Sequence, residues 1–281
     1  MNNIAVTGGA GRIGRLVIED LLSHGYEVLA IDRVRPSKLP CRFQLVDLAD
    51  AAAVFNVLHG TDAVIHLGAI PGPRSHPEPT TFHNNVMSTY NVVEAAVSLG
   101  LQKLVFASTV FALGWVEPAE MYLPEYVPVD EDHPLTPFEA YGLSKQIGED
   151  ICAMASRRSG MPSVSLRFMN VIHPESYDAL PIPVSQSREE LPFVMWAYVD
   201  ARDAARSCRL ALEAEISGHE AMFIAAEDIR FDCQTRDLMQ NLAPGVKIRG
   251  TLEGKASVIS IQKAGALIGY DPQYSWQTET C

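Results

Sequence analysis

The sequence predicts an α/β fold built on a doubly wound parallel sheet, with a smaller lobe assembled from the C-terminal part of the chain. Three observations carry this. Short apolar segments alternate with segments of helical periodicity over roughly the first 170 residues. The apolar segments are unbroken, as in strands buried on both faces by helices. The first of them runs straight into Val6-Thr7-Gly8-Gly9-Ala10-Gly11-Arg12-Ile13-Gly14, four of whose nine residues are glycine.

Taken in order, Asn3 to Thr7 is a short apolar strand and Arg12 to Ser23 a helix. Tyr26 to Ile31 and Phe43 to Val46 are the next strands, and Ala51 to Leu58 the next helix. Ala63 to Leu67, AVIHL, is a buried strand in which His66 is expected as a satisfied core histidine. Thr80 to Leu99 is a long helix closed by Gly100, which can take the left-handed turn that ends helices. Leu104 to Ala107 is a strand, Tyr141 to Arg157 a helix and Val164 to Phe168 a strand. Beyond Val171 the alternation weakens. His173 to Pro192, with four prolines, is expected to be a long loop of the kind that lines binding sites. Asp200 to Ala214 is helical and Met222 to Ala225 a strand. This predicts two interleaved units, 1–170 with 200–226, and 171–199 with 227–281.

Composition narrows the classes. A chain of 281 residues can bury about three quarters of its unfolded surface and needs no disulfide or metal to hold it. Cys41, Cys152, Cys208, Cys233 and Cys281 show no CxxC spacing and are expected as reduced thiols. A net charge of −12 disfavours nucleic acid. No apolar run is long enough for a membrane span, and Met1 to Ile4 lacks the character of a signal peptide, so the expected location is cytoplasmic. Without HExxH, clustered Cys/His or GxSxG, no metal site or serine hydrolase is expected.

A strand, a glycine-rich turn and a helix make a phosphate cradle. Glycines permit the tight turn and the close approach of a pyrophosphate, which the free N–H groups and dipole of the helix start attract. The spacing is Gly8-x-x-Gly11-x-x-Gly14, not GxGxxG. Asp32 closes the second strand, where a carboxylate can bind an adenosine ribose and repel a 2′-phosphate, which favours NAD over NADP. Arg33 beside it softens that preference if it faces the cofactor. Asp47 either faces the adenine or, like Asp50, caps the helix from Ala51.

Tyr141-Gly142-Leu143-Ser144-Lys145 sets a tyrosine and a lysine on one helix face. For the phenol to act as a base near neutral pH, the ammonium and a nicotinamide ring must lower its pKa by roughly 3 units. Thr109 follows the strand from Leu104, at the strand end where open α/β sheets bind ligands; Ser108 is the alternative, or a cofactor contact.

With these motifs in place, the chain resembles the NAD-dependent epimerase/dehydratase group of extended short-chain dehydrogenases/reductases. TGGAGRIG, Asp32, HLGA (66–69), NNVMSTYNVVEAA (84–96), LVFAST (104–109), YGLSK (141–145), LRFMNV (166–171) and IGYDP (268–272) match in order. The resemblance implies a Rossmann domain with a small C-terminal substrate-binding lobe. It implies Tyr141 as general acid or base, Lys145 on the nicotinamide ribose and Thr109 on the reacting oxygen. It also implies a cofactor site of Gly8, Gly11, Arg12, Ile13, Asp32, Arg33, Asp47, Leu48, Leu67, Gly68, Ala69, Asn85, Ser108 and Phe168 with Tyr141 and Lys145. Candidate substrate contacts are Ser75, His76, Thr109, Asn170, His173 and Tyr177. The long helices at 80–99 and 141–157 resemble those forming a homodimer interface in this group.

Departures narrow the substrate. Val110 and Phe111 replace the acidic pair that dehydratases of the group carry after the threonine, so dehydration is disfavoured. Trp196 stands where nucleotide-sugar enzymes have a diphosphate-binding arginine. Uronate dehydrogenases are compact like this chain, but their Asn-His after the catalytic serine and their substrate-loop arginine are absent here, so a plain hexuronate is disfavoured; Arg74, Arg188 and Arg202 are the candidate substitutes, with a surface or structural arginine the more ordinary reading of each. The resulting expectation is a dehydrogenase for a hydroxyl of a small sugar, sugar acid or polyol. A nucleotide-sugar epimerase with retained NAD is the alternative, and a non-catalytic NAD-binding regulator a third reading that the intact Thr109, Tyr141 and Lys145 disfavour.

Overall fold

Seven parallel strands form the central sheet of the computed structural model, which describes residues 1–114, 123–183 and 193–279. They are β1 (Asn3–Thr7), β2 (Glu27–Asp32), β3 (Arg42–Leu45), β4 (Ala63–His66), β5 (Lys103–Thr109), β7 (Ser163–Phe168) and β10 (His219–Ile224). Their order is β10-β7-β5-β4-β1-β2-β3, so the chain winds outward from β1 in both directions. Two parallel pairs lie outside the sheet: β6 (Tyr126–Val127) with β11 (Lys247–Ile248), and β8 (Asn170–Ile172) with β9 (Tyr198–Asp200).

The period of two along each strand sorts residues to opposite faces. Ile4, Val6, Ala63, Ile65 and Val105 enter one core; Ala5, Val64, Leu104 and Phe106 enter the other. Helix α1 (Arg12–Ser23) and the helix Ala201–Glu213 cover the first face; α2 (Ala51–Leu58), α3 (Glu78–Ser98) and α4 (Ala140–Ser159) cover the second. The first core continues into Leu252, Ile259 and Ile268, so the C-terminal segments pack on the sheet side without a break.

Local chemistry sets the boundaries. Asp50 caps α2, accepting from the Ala52 and Ala53 amides at 3.0 Å, which leaves Asp47 outside the cap. Asp200 caps the helix Ala201–Glu213 through the Arg202 amide at 2.7 Å. Gly100, at φ +69°, turns the chain out of α3. One expectation is corrected. Part of the loop from His173 is a 3-10 helix, Pro174–Ala179, in which Tyr177 is buried and donates to Asp200 at 2.5 Å. The rest of that loop, 184–192, lies outside the described residues, as does Cys281. The other four cysteines are free thiols. No helix among the described residues is long and apolar enough to cross a membrane.

His66 is the satisfied core histidine expected. Its Nδ1 shares a hydrogen bond of 2.7 Å with the Thr7 hydroxyl and its Nε2 one of 3.2 Å with Thr89, while its ring stacks on Phe106. Burial drives its pKa from 6.5 down to about 3. The unfolded chain therefore takes up this proton first, so the contribution of neutral His66 is intact above pH 6.5 and is lost as pH falls toward 3. In His66→Asn, the unfolding free energy measured by denaturant titration should depend less on pH in this window; an unchanged slope would remove His66 as the cause.

Candidate active site

The C-terminal ends of the parallel strands open into a cleft of about 440 Å³, within the range of small-molecule sites. Its floor is the turn between β1 and α1. Gly8 has φ +70°, and a Cβ there would lie 2.9 Å from the Gly68 nitrogen, so this turn rests directly on the one that follows β4. A Cβ on Gly14 would run into the Gly8 carbonyl. Gly11 caps α1 with no side-chain hydrogen bond, leaving the first-turn N–H groups for an anion. Asp32 is held at the cleft edge by the Ala10 and Val34 amides, both at 3.1 Å.

The other end of the cleft is set by β5 and α4. Thr109 ends β5, accepts from the Phe111 amide at 3.2 Å and hydrogen-bonds Tyr141. Lys145, buried one helical turn beyond Tyr141, donates to the Ala107 carbonyl at 2.7 Å, with its nitrogen 5.9 Å from the centre of the Tyr141 ring. Burial pushes the Tyr141 phenol up to about 12, Glu139 adds to this, and only the Thr109 bond opposes it. Burial likewise pulls Lys145 down to about 8. Both groups are desolvated, so each is driven toward its neutral form.

Two carboxylates missed in the sequence position this end. Glu139 caps α4, accepting from the Gly142 amide at 2.7 Å and from the Tyr141 amide. Glu149 is buried, accepting from Ser108 at 2.5 Å and from Arg167 at 3.0 and 2.8 Å. Their signal was a Glu two residues before and a Glu eight residues after Tyr141, which places them at the start of α4 and on it but does not show what they pair with. Phe111, Asn84, Ser88 and Met169 also line the cleft unforeseen.

Gly8, Gly11, Arg12, Ile13, Asp32, Arg33, Asp47, Leu48, Leu67, Gly68, Ala69, Ser108, Thr109, Tyr141, Lys145, Phe168, Asn170 and His173 all line the cleft. Four expected contacts do not. Asn85 is buried behind it and braces residue 70, accepting from its amide at 2.8 Å and donating to its carbonyl at 3.2 Å. Tyr177 is spent on Asp200. Ser75 is exposed, and His76 lines a separate cavity of about 160 Å³ with Arg74, beyond Phe111 and Tyr141. Of the substitute arginines, Arg202 is paired with Asp200 at 2.9 Å, and Arg188 lies outside the described residues. Trp196 is wholly buried against Phe193 and Phe231.

The model of the NAD dependent epimerase/dehydratase family matches residues 4–225, from β1 through β10. The chain belongs to this family. A putative UDP-glucose 4-epimerase of Methanocaldococcus jannaschii is 32% identical over 176 residues, 60% of this chain and 55% of that one. This family member thus spans about half the length of that epimerase. An L-arabinose 1-dehydrogenase (NAD(P)(+)) of Haloferax volcanii is 29% identical over 238 residues, 82% of this chain and 91% of that one. The crystal structure of a short-chain dehydrogenase/reductase superfamily protein from Agrobacterium tumefaciens with bound NAD superposes with a TM-score of 0.76. It is 25% identical and covers 99% of this chain and 94% of its own.

The residues present fit the family's NAD: an uncapped helix start for the pyrophosphate, a fixed carboxylate at the ribose end and a dry Tyr141–Lys145 end. Asp32→Ala should narrow the preference for NAD over NADP by about tenfold or more, of the order of one lost charge contact. Titration calorimetry with each dinucleotide checks this, and an unchanged ratio would mean that Asp32 does not set it.

Proposed function

We propose that this chain is an NAD-dependent dehydrogenase acting on a hydroxyl of a small sugar, sugar acid or related polyol. The carrying observation is the convergence of Thr109, Tyr141 and Lys145 at one end of the cleft whose other end holds Asp32. When bound, NAD supplies the hydride acceptor. Tyr141 would take the proton of the substrate hydroxyl, and Thr109 would hold the same oxygen. Lys145 would donate to the nicotinamide ribose while anchored on Ala107. Gly8, Gly11, Arg12 and Ile13 would hold the phosphates, with Asp32 at the adenosine ribose and Asp47, Leu48 and Leu67 along the adenine side.

A nucleotide-sugar epimerase is the second reading, supported by the identity to the Methanocaldococcus jannaschii protein. Against it, Trp196 is sealed in the core and offers a diphosphate nothing. We assign the substrate side to 171–199 with 227–281 and the dinucleotide side to 1–170 with 200–226, supported by Val171 and His173 lining the same cleft as the cradle. A homodimer through the helices at 80–99 and 141–157 is supported by the exposed apolar Phe82, Met87 and Tyr90 on α3 and Leu143 on α4. A cytoplasmic location is supported by the free thiols.

Tyr141→Phe should lower turnover by about 10² to 10⁴, the range of general acid–base catalysis, while leaving the NAD dissociation constant unchanged. NADH absorbance across a panel of free sugars and sugar acids, with calorimetry for NAD, reads both; equal loss of both would displace Tyr141 from its role. Thermal stabilisation by UDP, with no NADH from any free sugar, would favour the epimerase. Tyr90→Glu with Leu143→Glu should give a monomer by light scattering with the fold intact by circular dichroism; an unchanged mass would place any interface elsewhere.

A further inference from the structure

Beside the cleft lies the second cavity of about 160 Å³, whose lining includes Arg74, Thr81, Phe138 and Glu139. Among the described residues, only Phe111 and Tyr141 line both spaces. Their rings meet edge to face, with centres 6.0 Å apart and planes at 70°. The boundary between cleft and cavity is therefore made by two aromatic side chains. The reaction proposed above needs the Tyr141 hydroxyl, which leaves the Phe111 ring as the part of the wall with no chemical task. Its neighbour Val110 is wholly buried in the core and faces neither space.

The main chain of Phe111 is held from three sides. Its amide donates to the Thr109 hydroxyl at 3.2 Å, and its carbonyl accepts from the Gly114 amide at 3.1 Å. That carbonyl also rests on the first turn of α4, where a Cβ on Gly142 would come within 2.5 Å of it. A ligand that presses on the ring thus meets a backbone with no room to retreat, and forcing atoms into such a packed contact is unfavourable. The second cavity lies below the size range of whole-ligand sites. It suits a short branch of a ligand, and Arg74, Thr81 and Glu139 suit hydroxyl or amide atoms on that branch.

We propose that Phe111 is a specificity-determining residue: its ring closes the second cavity off from the reacting centre, so that the chain accepts a sugar unbranched beside the reacting carbon and rejects the same sugar branched there. This rests on the cleft being the substrate site and Tyr141 the proton acceptor, as proposed above. With Thr109 and Tyr141 holding the reacting oxygen, a branch on the next carbon falls against the wall around Tyr141, where Phe111 stands.

The test measures NADH formation on D-glucose, N-acetyl-D-glucosamine and 3-O-methyl-D-glucose, and on the matching galactose set. The branches sit on carbons 2 and 3, so each hydroxyl from carbon 1 to carbon 4 has a branched neighbour in one derivative. For the wild-type chain, kcat/KM should be at least about tenfold lower for a branched sugar than for its plain parent, the scale on which a pocket rejects one misfitting group. Phe111→Ala should narrow that ratio by about tenfold, and Thr81→Leu added to it should restore the ratio by filling the second cavity from α3. Ratios within each variant cancel any general loss of activity. Phe111→Leu should give part of the shift, which keeps the test decisive if the alanine variant does not fold. Equal kcat/KM for plain and branched sugars in the wild-type chain, an unchanged ratio in the Phe111 variants, or a gain that survives Thr81→Leu would each overturn the partition. If no sugar yields NADH, calorimetry on the NAD-loaded chain reads the same ratios as dissociation constants. The expected shifts there would sustain the partition and defeat the dehydrogenase reading; their absence would defeat both.

Discussion

The buried carboxylate of Glu149 is the tie on which the geometry of the cleft depends. It joins three elements at one point: α4, on which it sits, β5 through Ser108, and β7 through Arg167. Removing one partner of such a buried pair typically costs about 3–5 kcal/mol, because the other is left charged and dry. The same helix is drawn onto β5 by the bond from Lys145 to Ala107, and Gly148 lets the Phe106 ring lie against its backbone. Tyr141 and Lys145 are therefore presented by a helix that cannot slide along the sheet without stranding a charge. Thr109, at the end of the strand that the helix is tied to, moves with them.

Desolvation governs the chemistry of this end. A phenol pushed up to about 12 and an ammonium pulled down to about 8 lie side by side, and the chain alone leaves the phenol protonated. The Lys145 nitrogen lies 5.9 Å from the centre of the Tyr141 ring and donates to the Ala107 carbonyl. A bound oxidised nicotinamide would add a positive charge that lowers the phenol in this dry site.

Charge is distributed with economy. The chain carries a net charge of −12, yet the cradle relies on an uncapped helix start, a partial charge that needs no basic residue. Arg12, at that start, reaches across to Glu175, linking the cradle to the segment after β8.

The alternation of apolar and helical segments determined the seven-stranded sheet, because period and strand burial are local properties. Gly8, Gly11 and Gly14, Asp32, Tyr141 and Lys145 were legible for the same reason, since each is recognised within one strand–turn–helix unit. What only the tertiary structure decided are relations between segments far apart in sequence. Glu149 meets Ser108 and Arg167 across 41 and 18 residues, and Arg230 lies against Asn170 only because the C-terminal segments fold back onto β8. Tyr177 was read as a ligand contact, but folding turned it to Asp200, and Asn85 to the loop behind the cleft. Their residue types suit either role. Sequence spacing fixes a side chain's face on its own element, but the neighbour across the fold decides whether it meets solvent, ligand or another side chain.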